Sequence, residues 1–293
     1  MSQKQADLSF KSKVGMFVLK SDTLVVNMNK GGYSTSGVSS IKEAGVPLIS
    51  IITVVRNGEE YMQSCIDTVK AQSYPNIEHI ILDGHSTDGT VEILRANTDQ
   101  VAFWLSEHDN GIYDAMNKAI KHCSGQWYMF LGVDDLLLDG FSDLACHLSD
   151  ETTAYYGCVI YRGVPQLDGP VDRFKLVRSN ICHQALLYPR IIFDTHQYDV
   201  NYNIAADNVL LLKLWKEQLI KFEYHETVIS IFNHNGISGN DWDRLFFKNR
   251  SKLILENLGP APYLYHLYLL FVEKANKKIN KRVNKVRKLL SKI

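Results

Sequence analysis

Trp127-Tyr128-Met129-Phe130-Leu131-Gly132-Val133-Asp134-Asp135-Leu136-Leu137-Leu138 reads as a buried strand that ends in two adjacent carboxylates. Aromatic and aliphatic residues continue without alternation from Trp127 to Leu131, as expected of a central strand covered on both faces. Two acids at the carboxyl end of such a strand, with leucines beyond them, are costly to desolvate unless something positive compensates. A divalent metal ion is one resolution. The other is a solvated turn in which one Asp caps a following helix.

Upstream, Leu48-Ile49-Ser50-Ile51-Ile52-Thr53-Val54-Val55 is β-branched and nearly all apolar, the mark of a buried parallel strand, and Arg56-Asn57-Gly58 breaks it. Met62, Cys65, Ile66 and Val69 then fall at helical spacing between Glu59 and Gln72, and Ser73-Tyr74-Pro75-Asn76 ends that helix. A strand from Glu78 to Asp83 leads through Gly84-His85-Ser86-Thr87-Asp88-Gly89-Thr90 into a helix reaching about Ala96. This is a βαβ order. It predicts a parallel sheet with ligands at the carboxyl ends of its strands. A strand over Val101 to Leu105, a polar loop over Ser106 to Gly111 and a helix over Ile112 to His122 complete the approach to Trp127.

Downstream, the pattern predicts a helix over Phe141 to Leu148, a strand over Ala154 to Arg162 and an irregular loop over Val164 to Val177. Asp207 stands at the mouth of an apolar helix running to Trp215, where an N-cap is the plain alternative to a chemical role. Val228 to Phe232 is the last expected strand, and Asn235-Gly236-Ile237-Ser238 suits either a simple turn or a loop that closes over a ligand. Residues 1–46 are an extension, with a short hairpin expected between Phe17 and Val26 and a flexible Gly/Ser connector over Gly31 to Ser40.

Three acid sites, Asp83, the pair Asp134-Asp135 and Asp207, thus follow strands or open helices, and a parallel sheet gathers such positions at one crevice. Sugar transfer from a nucleoside diphosphate needs a divalent cation at the leaving diphosphate and a base for the acceptor hydroxyl. Mg2+ or Mn2+ takes hard oxygen ligands and keeps phosphate oxygens and waters, so one or two carboxylates suffice.

The ordered motifs Ser50 to Asn57, Leu82 to Thr90, Ser106 to Ala119, Leu131 to Asp135, His183 to Arg190 and Ala205 to Leu211 resemble those of the family 2 glycosyltransferases. The likeness covers residues 47 to about 240, and bacterial members that build surface polysaccharides are the most similar. It implies a GT-A fold of α/β class, with a Rossmann-like, mostly parallel central sheet flanked by helices. It further implies a metal-dependent, inverting transfer from a nucleoside-diphosphate sugar, such as a UDP-sugar, to a glycan or lipid-linked acceptor. On this resemblance Asp207 is the general base and Asp135 the metal ligand. Asp134 meets ribose or a water, and Thr53, Val55, Asn57, Asp83, Asp114, Asn117 and His183 bind the nucleotide sugar, with Asp109 and Gln184 close by. Two positions depart from the pattern: Ala206 stands where many relatives have Glu, and Gly84 where a second acid usually follows Asp83.

The 293 residues, 45% hydrophobic and 22% charged with a net charge of zero, suit a globular α/β domain with appendages and give no sign of nucleic-acid binding. The zero conceals an asymmetry. From Glu273 to Ile293 there are nine Lys or Arg against one Glu, leaving 23 basic and 31 acidic residues before them. Ile279, Val283, Val286, Leu290 and Ile293 recur among these charges at helical spacing, after the Tyr- and Leu-rich run from Pro262 to Val272. Such a helix suits an anionic membrane surface, and a solvated tail or one packed on a second subunit is the alternative. The expected division is an extension (1–46), a GT-A domain (47–258) and a basic helical tail (259–293). Five scattered cysteines, no apolar leader at Met1 to Asp7 and no window of ~18 apolar residues point to a cytoplasmic chain, peripheral on the inner face of the membrane. A sugar-nucleotide pyrophosphorylase lacks support, because Arg56-Asn57-Gly58 is not a glycine-rich nucleotide loop; a non-catalytic carbohydrate binder is disfavoured by the retained acids.

Overall fold

The computed structural model describes residues 29–37, 39–161, 163–166, 169–233 and 243–290. The expected hairpin before Val26 and the loop Asn235 to Ser238 lie outside them.

The centre of the fold is parallel. Strand β2 (Ile49–Val55) pairs on one side with β3 (Ile77–Asp83), which pairs with β4 (Phe103–Ser106), and on the other with β5 (Trp127–Phe130), all in parallel register. Successive residues of these strands serve opposite faces. Ile49, Ile51, Trp127 and Met129 pack with α1 (Glu59–Lys70), α2 (Thr90–Ala96) and α4 (Gly140–Ala145). Ile52, Tyr128 and Phe130 pack instead with α3 (Ile112–Ala119), α7 (Ala206–Glu217) and α8 (Arg244–Leu258). The two faces explain why β2 and β5 are apolar without alternation. The register sets Val55 beside Asp83 and Asp83 beside Ser106, while the Leu131 N–H reaches the Ile52 carbonyl, so the loops that carry the acids leave the sheet along one edge.

Beyond β5 the pairing changes sense. Strand β9 (Leu186–Pro189) lies antiparallel between β5 and β7 (Thr153–Tyr161), and β10 (Lys221–Phe232) runs parallel to β7. The two-residue β6 (Leu136–Leu137), directly after the Asp pair, docks antiparallel on β10.

Several local expectations are corrected. The Gly31 to Ser40 connector opens with β1 (Lys30–Gly31), antiparallel to β4, and a 3-10 turn (Tyr33–Ser36). Its glycines permit close approach: a Cβ on Gly31 would lie 2.6 Å from Trp104 Nε1, and Gly32, at φ 116°, lies against the Ala102 carbonyl. The stretch after Val164 holds β8 (Val164–Gln166) and α5 (Arg173–Arg178), whose N-terminal N–H groups of Phe174 and Lys175 donate to the Asp172 carboxylate. The last strand begins seven residues earlier than Val228, at Lys221, because its half-buried first part pairs with β7 rather than displaying an apolar run. Helix α4 stops at Ala145, short of Leu148, and α3 tightens into a 3-10 turn from Ile120. After α6 (Ile191–Thr195), α7 and α8, the chain ends its described part in α9 (Pro260–Leu290).

Candidate active site

At the carboxyl end of β3, Asp83 is buried and fully engaged: it accepts from the Ser86 N–H at 3.0 Å, from the Ser106 hydroxyl at 2.6 Å, and from the Ser86 hydroxyl. It shapes the loop that follows. That loop is tied to the one after β2, since Asn57 donates its N–H to Ser86 Oγ at 2.7 Å and accepts from the Thr87 N–H at 2.8 Å. Asn57 (φ 55°) and His85 (φ 61°) both hold left-handed backbone, a strained state for residues with a Cβ and one that gathers at functional sites. Thr53 and Val55 turn into the core under α1; Thr53 Oγ1 lies 3.0 Å from His79 Nε2.

The Asp109 carboxylate closes this end of the site. Its Oδ1 accepts from the Gly111 N–H at 2.9 Å, and its Oδ2 lies 2.3 Å from where a Cβ on Gly84 would stand. Gly84 therefore leaves the space that Asp109 fills. The imidazoles of His85 and His108 stack beside it, with centroids 4.0 Å apart. Asp114 accepts from the Asn110 N–H at 2.9 Å and pairs with Lys118 at 3.2 Å; the N–H first, then Lys118, holds its carboxyl below the usual range.

At the other end, Asp135 is 1% exposed and receives the Gly132 N–H at 3.0 Å on Oδ2 and the Asn233 N–H at 2.8 Å on Oδ1. Burial, with the charge of Asp134 adding, pushes its carboxyl up to about 6; burial also raises half-buried Asp134. Negative charge concentrated in a dry site is what a hard dication compensates. Among the described residues no group of three or more His, Cys, Asp or Glu could hold a metal ion. The two carboxylates fit a cation that draws its remaining oxygens from a diphosphate and water.

Asp207 lies in the first turn of α7, two residues past the cap at Ala205. The Tyr113 hydroxyl, 2.9 Å from Oδ1 and 2.7 Å from the Ile204 carbonyl oxygen, shares its proton between them, and the Asn180 side-chain N–H donates to Oδ2 at 2.9 Å. Burial, then the Asp207 charge, holds the Tyr113 phenol well above its ordinary pKa, so it stays a donor. His183 stacks on Phe130 at 4.7 Å and bonds Tyr198 Oη at 2.8 Å; burial lowers its pKa, opposed by Asp207. Its neighbour Gln184 turns its side chain to Asp135. One dipeptide thus links to both acid sites, to Asp207 through Tyr198 and Tyr113. Asn117 clamps Tyr198 from below, donating to its carbonyl and accepting its N–H, both at 2.9 Å.

The structure therefore ties Asn57 to Asp83 through Ser86 and sets Asp109 against Gly84 beside them, while Gln184 reaches Asp135 and Tyr113 and Asn180 hold Asp207. Tyr113, Asn180 and Tyr198 were not foreseen. Tyr113 was visible only as the residue before Asp114 in its motif, and Asn180 only as a polar residue three places before His183.

Residues 50–206 match the profile described as Glycosyl transferase family 2. A PGL/p-HBAD biosynthesis glycosyltransferase of Mycobacterium bovis (strain BCG / Pasteur 1173P2) is 30% identical over 213 residues, which cover 69% of this chain and 83% of the relative. Among solved structures, S. aureus TarS 1-349 in complex with UDP superposes with a TM-score of 0.54 at 18% identity, covering 72% of this chain and 65% of that one. Mannosyltransferase PcManGT from Pyrobaculum calidifontis, in complex with GDP-Man and Mn2+, gives 0.55 at 17% identity over 77% of this chain and 69% of that one.

Proposed function

The chain belongs to glycosyl transferase family 2 and has the GT-A fold, and from that premise we propose that it is an inverting glycosyltransferase. Its donor is a nucleoside-diphosphate sugar, a UDP-sugar in the first instance, and its acceptor a hydroxyl of a glycan or lipid-linked sugar in bacterial surface polysaccharide synthesis. The observation that carries this reading is the His183-Gln184 dipeptide: Gln184 hydrogen-bonds Asp135, and His183 bonds Tyr198, whose ring packs on Tyr113, the donor to Asp207. A base and a diphosphate-side acid are thereby linked through one short segment.

Asp207 takes the proton from the acceptor hydroxyl as its oxygen attacks the anomeric carbon from the face opposite the diphosphate. The new C–O bond forms as the bond to the diphosphate oxygen breaks, and that oxygen keeps the electron pair. One displacement inverts the anomeric centre. Asp135, with Asp134 beside it, would hold a Mn2+ or Mg2+ ion, which supplies neutralisation of the departing diphosphate when bound. Asn57, Asp83, Asp109 and Asp114 shape the nucleotide end of the cleft; Thr53 and Val55 act from the core beneath it, the Val55 carbonyl accepting the Gly84 N–H at 2.7 Å, and Asn117 acts through Tyr198. TarS is bound to UDP and PcManGT to GDP-Man with Mn2+ in their structures, which supports a nucleotide donor and a metal.

The test is release of nucleoside diphosphate from a panel of UDP-, GDP- and dTDP-sugars with Mn2+ or Mg2+. Asp135→Ala abolishes both turnover and metal-dependent thermal stabilisation by the donor, whereas Asp207→Asn abolishes turnover and keeps the stabilisation. Turnover by Asp207→Asn at the native rate would sink the assignment of the base.

The membrane reading of the tail draws on α9. Leu264, Tyr268, Phe271, Ile279 and Val283 are exposed and fall within about 120° of one another at 100° per residue, the last two among the Lys and Arg that follow Glu273. No helix among the described residues is long and apolar enough to cross a membrane. An amphipathic cationic helix lies on an anionic surface instead, where a lipid-linked acceptor is within reach; the start of α9 packs on the domain, with His266 buried against Ser251 and Leu269 against the core, so this reading applies to the segment beyond it.

A further inference from the structure

We infer that Asn180 is a positioning residue for Asp207, its amide fixing the carboxylate that takes the acceptor's proton. The inference rests on the reading of Asp207 as general base. What singles Asn180 out is the unequal state of its two amide atoms. Nδ2 donates to Asp207 Oδ2 at 2.9 Å. Oδ1 is shut off from solvent and has no hydrogen-bond partner among the described residues.

Buried amide oxygens are as a rule satisfied, and one left unpaired offsets much of what the other half of the same amide contributes to stability. A side chain retained for the fold alone would satisfy both ends or be apolar. The orphan is not relieved by turning the amide over, because Oδ1 would then face Asp207 Oδ2, acceptor against acceptor. The amide is therefore committed to Asp207.

The second anchor completes the geometry. Tyr113, from α3, takes Oδ1 of Asp207 while Asn180, from the segment between α5 and β9, takes Oδ2. Two donors from separate parts of the chain define the carboxylate plane, and each oxygen, with one donor, keeps a lone pair for a hydroxyl proton. The titratable groups facing Asp207 are Tyr113 of α3, His183, Tyr188 of β9 and Tyr198 after α6. Burial holds the three phenols above their usual range and His183 below its own, so the phenols stay protonated and the imidazole brings no positive charge to Asp207 near neutral pH.

The experiment measures diphosphate release from UDP-glucose, UDP-N-acetylglucosamine and GDP-mannose, with water as acceptor, beside thermal melting. Asn180→Ala is expected to melt within ~2 °C of the native chain and to lower kcat about 10- to 100-fold with KM for the donor within ~3-fold, since the carboxylate is no longer held. Asn180→Asp, of the same shape, sets a second carboxylate there in place of the donor and lowers kcat at least as far. An unchanged kcat in both variants, or a rate loss matched by the loss of folded protein, overturns the inference while leaving the function standing. Native-rate turnover by Asp207→Asn, or no turnover of any of the three donors by the native chain, removes the reading on which it rests and the inference with it.

Discussion

His79 sits in the middle of β3, buried under α1, with Thr53 Oγ1 as its hydrogen-bond partner. Burial lowers its pKa from 6.5 to about 3, so the folded chain keeps the ring neutral while an unfolded chain protonates it as pH falls through 6.5. The unfolded state therefore binds more protons between these values. Stability is unaffected by His79 above pH 6.5 and declines as pH falls towards 3. At pH 5 the cost is about 2 kcal/mol. His79→Gln, which keeps a hydrogen-bonding side chain without the titration, is expected to lose less stability between pH 7 and 5 than the native chain in urea denaturation; equal losses would refute the argument. The same scale shows where single residues were legible. Asp83, Asp135 and Asp207 were recognisable as acids at strand ends and a helix mouth, but Asn117 was visible only as part of a motif. Its partner, the backbone of Tyr198, is 81 residues away and is brought to it by packing alone.

At the scale of elements, the loops after β3 and β4 interlock through one absent side chain. A Cβ on Gly84 would meet Asp109 Oδ2 at 2.3 Å, so Gly84→Ala is expected to destabilise by about 1–3 kcal/mol. In an Asp109→Ala background the same change should cost little, and a double-mutant cycle in urea should give a coupling of at least about 1 kcal/mol. Additive costs would show that the two loops do not compete for that space. From sequence, Gly84 was a departure from a pattern, an acid missing. In the fold it is a vacancy that a different acid fills. The Gly31-Gly32 pair is similar: its composition suggested flexibility, yet the glycines exist to let the chain lie against Trp104 and Ala102. Composition does not distinguish a glycine that bends from one that makes room, because the neighbour that requires the room comes from β4.

For the whole molecule, α9 carries the expectation that reaches furthest. Truncation after Val272, which keeps the part of α9 that packs on the core, is predicted to leave diphosphate release intact in solution and to weaken binding to vesicles containing anionic lipid at least tenfold, each basic residue near the surface adding about 1 kcal/mol. Equal vesicle sedimentation of the two forms would remove the membrane reading. The order of parallel strands, the apolar faces of β2 and β5, the helices between them and the acids that follow were all set by local sequence. Strand pattern, turn residues and helical spacing act over a few residues and need no partner. The antiparallel insertion of β9, the early start of β10, the filling of Gly84's space by Asp109, and the two donors on Asp207 were decided only in the tertiary structure. Each joins segments 20 to 100 residues apart, where the energy comes from packing and from hydrogen bonds between elements. The Trp127 to Leu138 stretch contained its strand and its two acids by itself; the Asn233 N–H that donates to one oxygen of Asp135 is 98 residues further on.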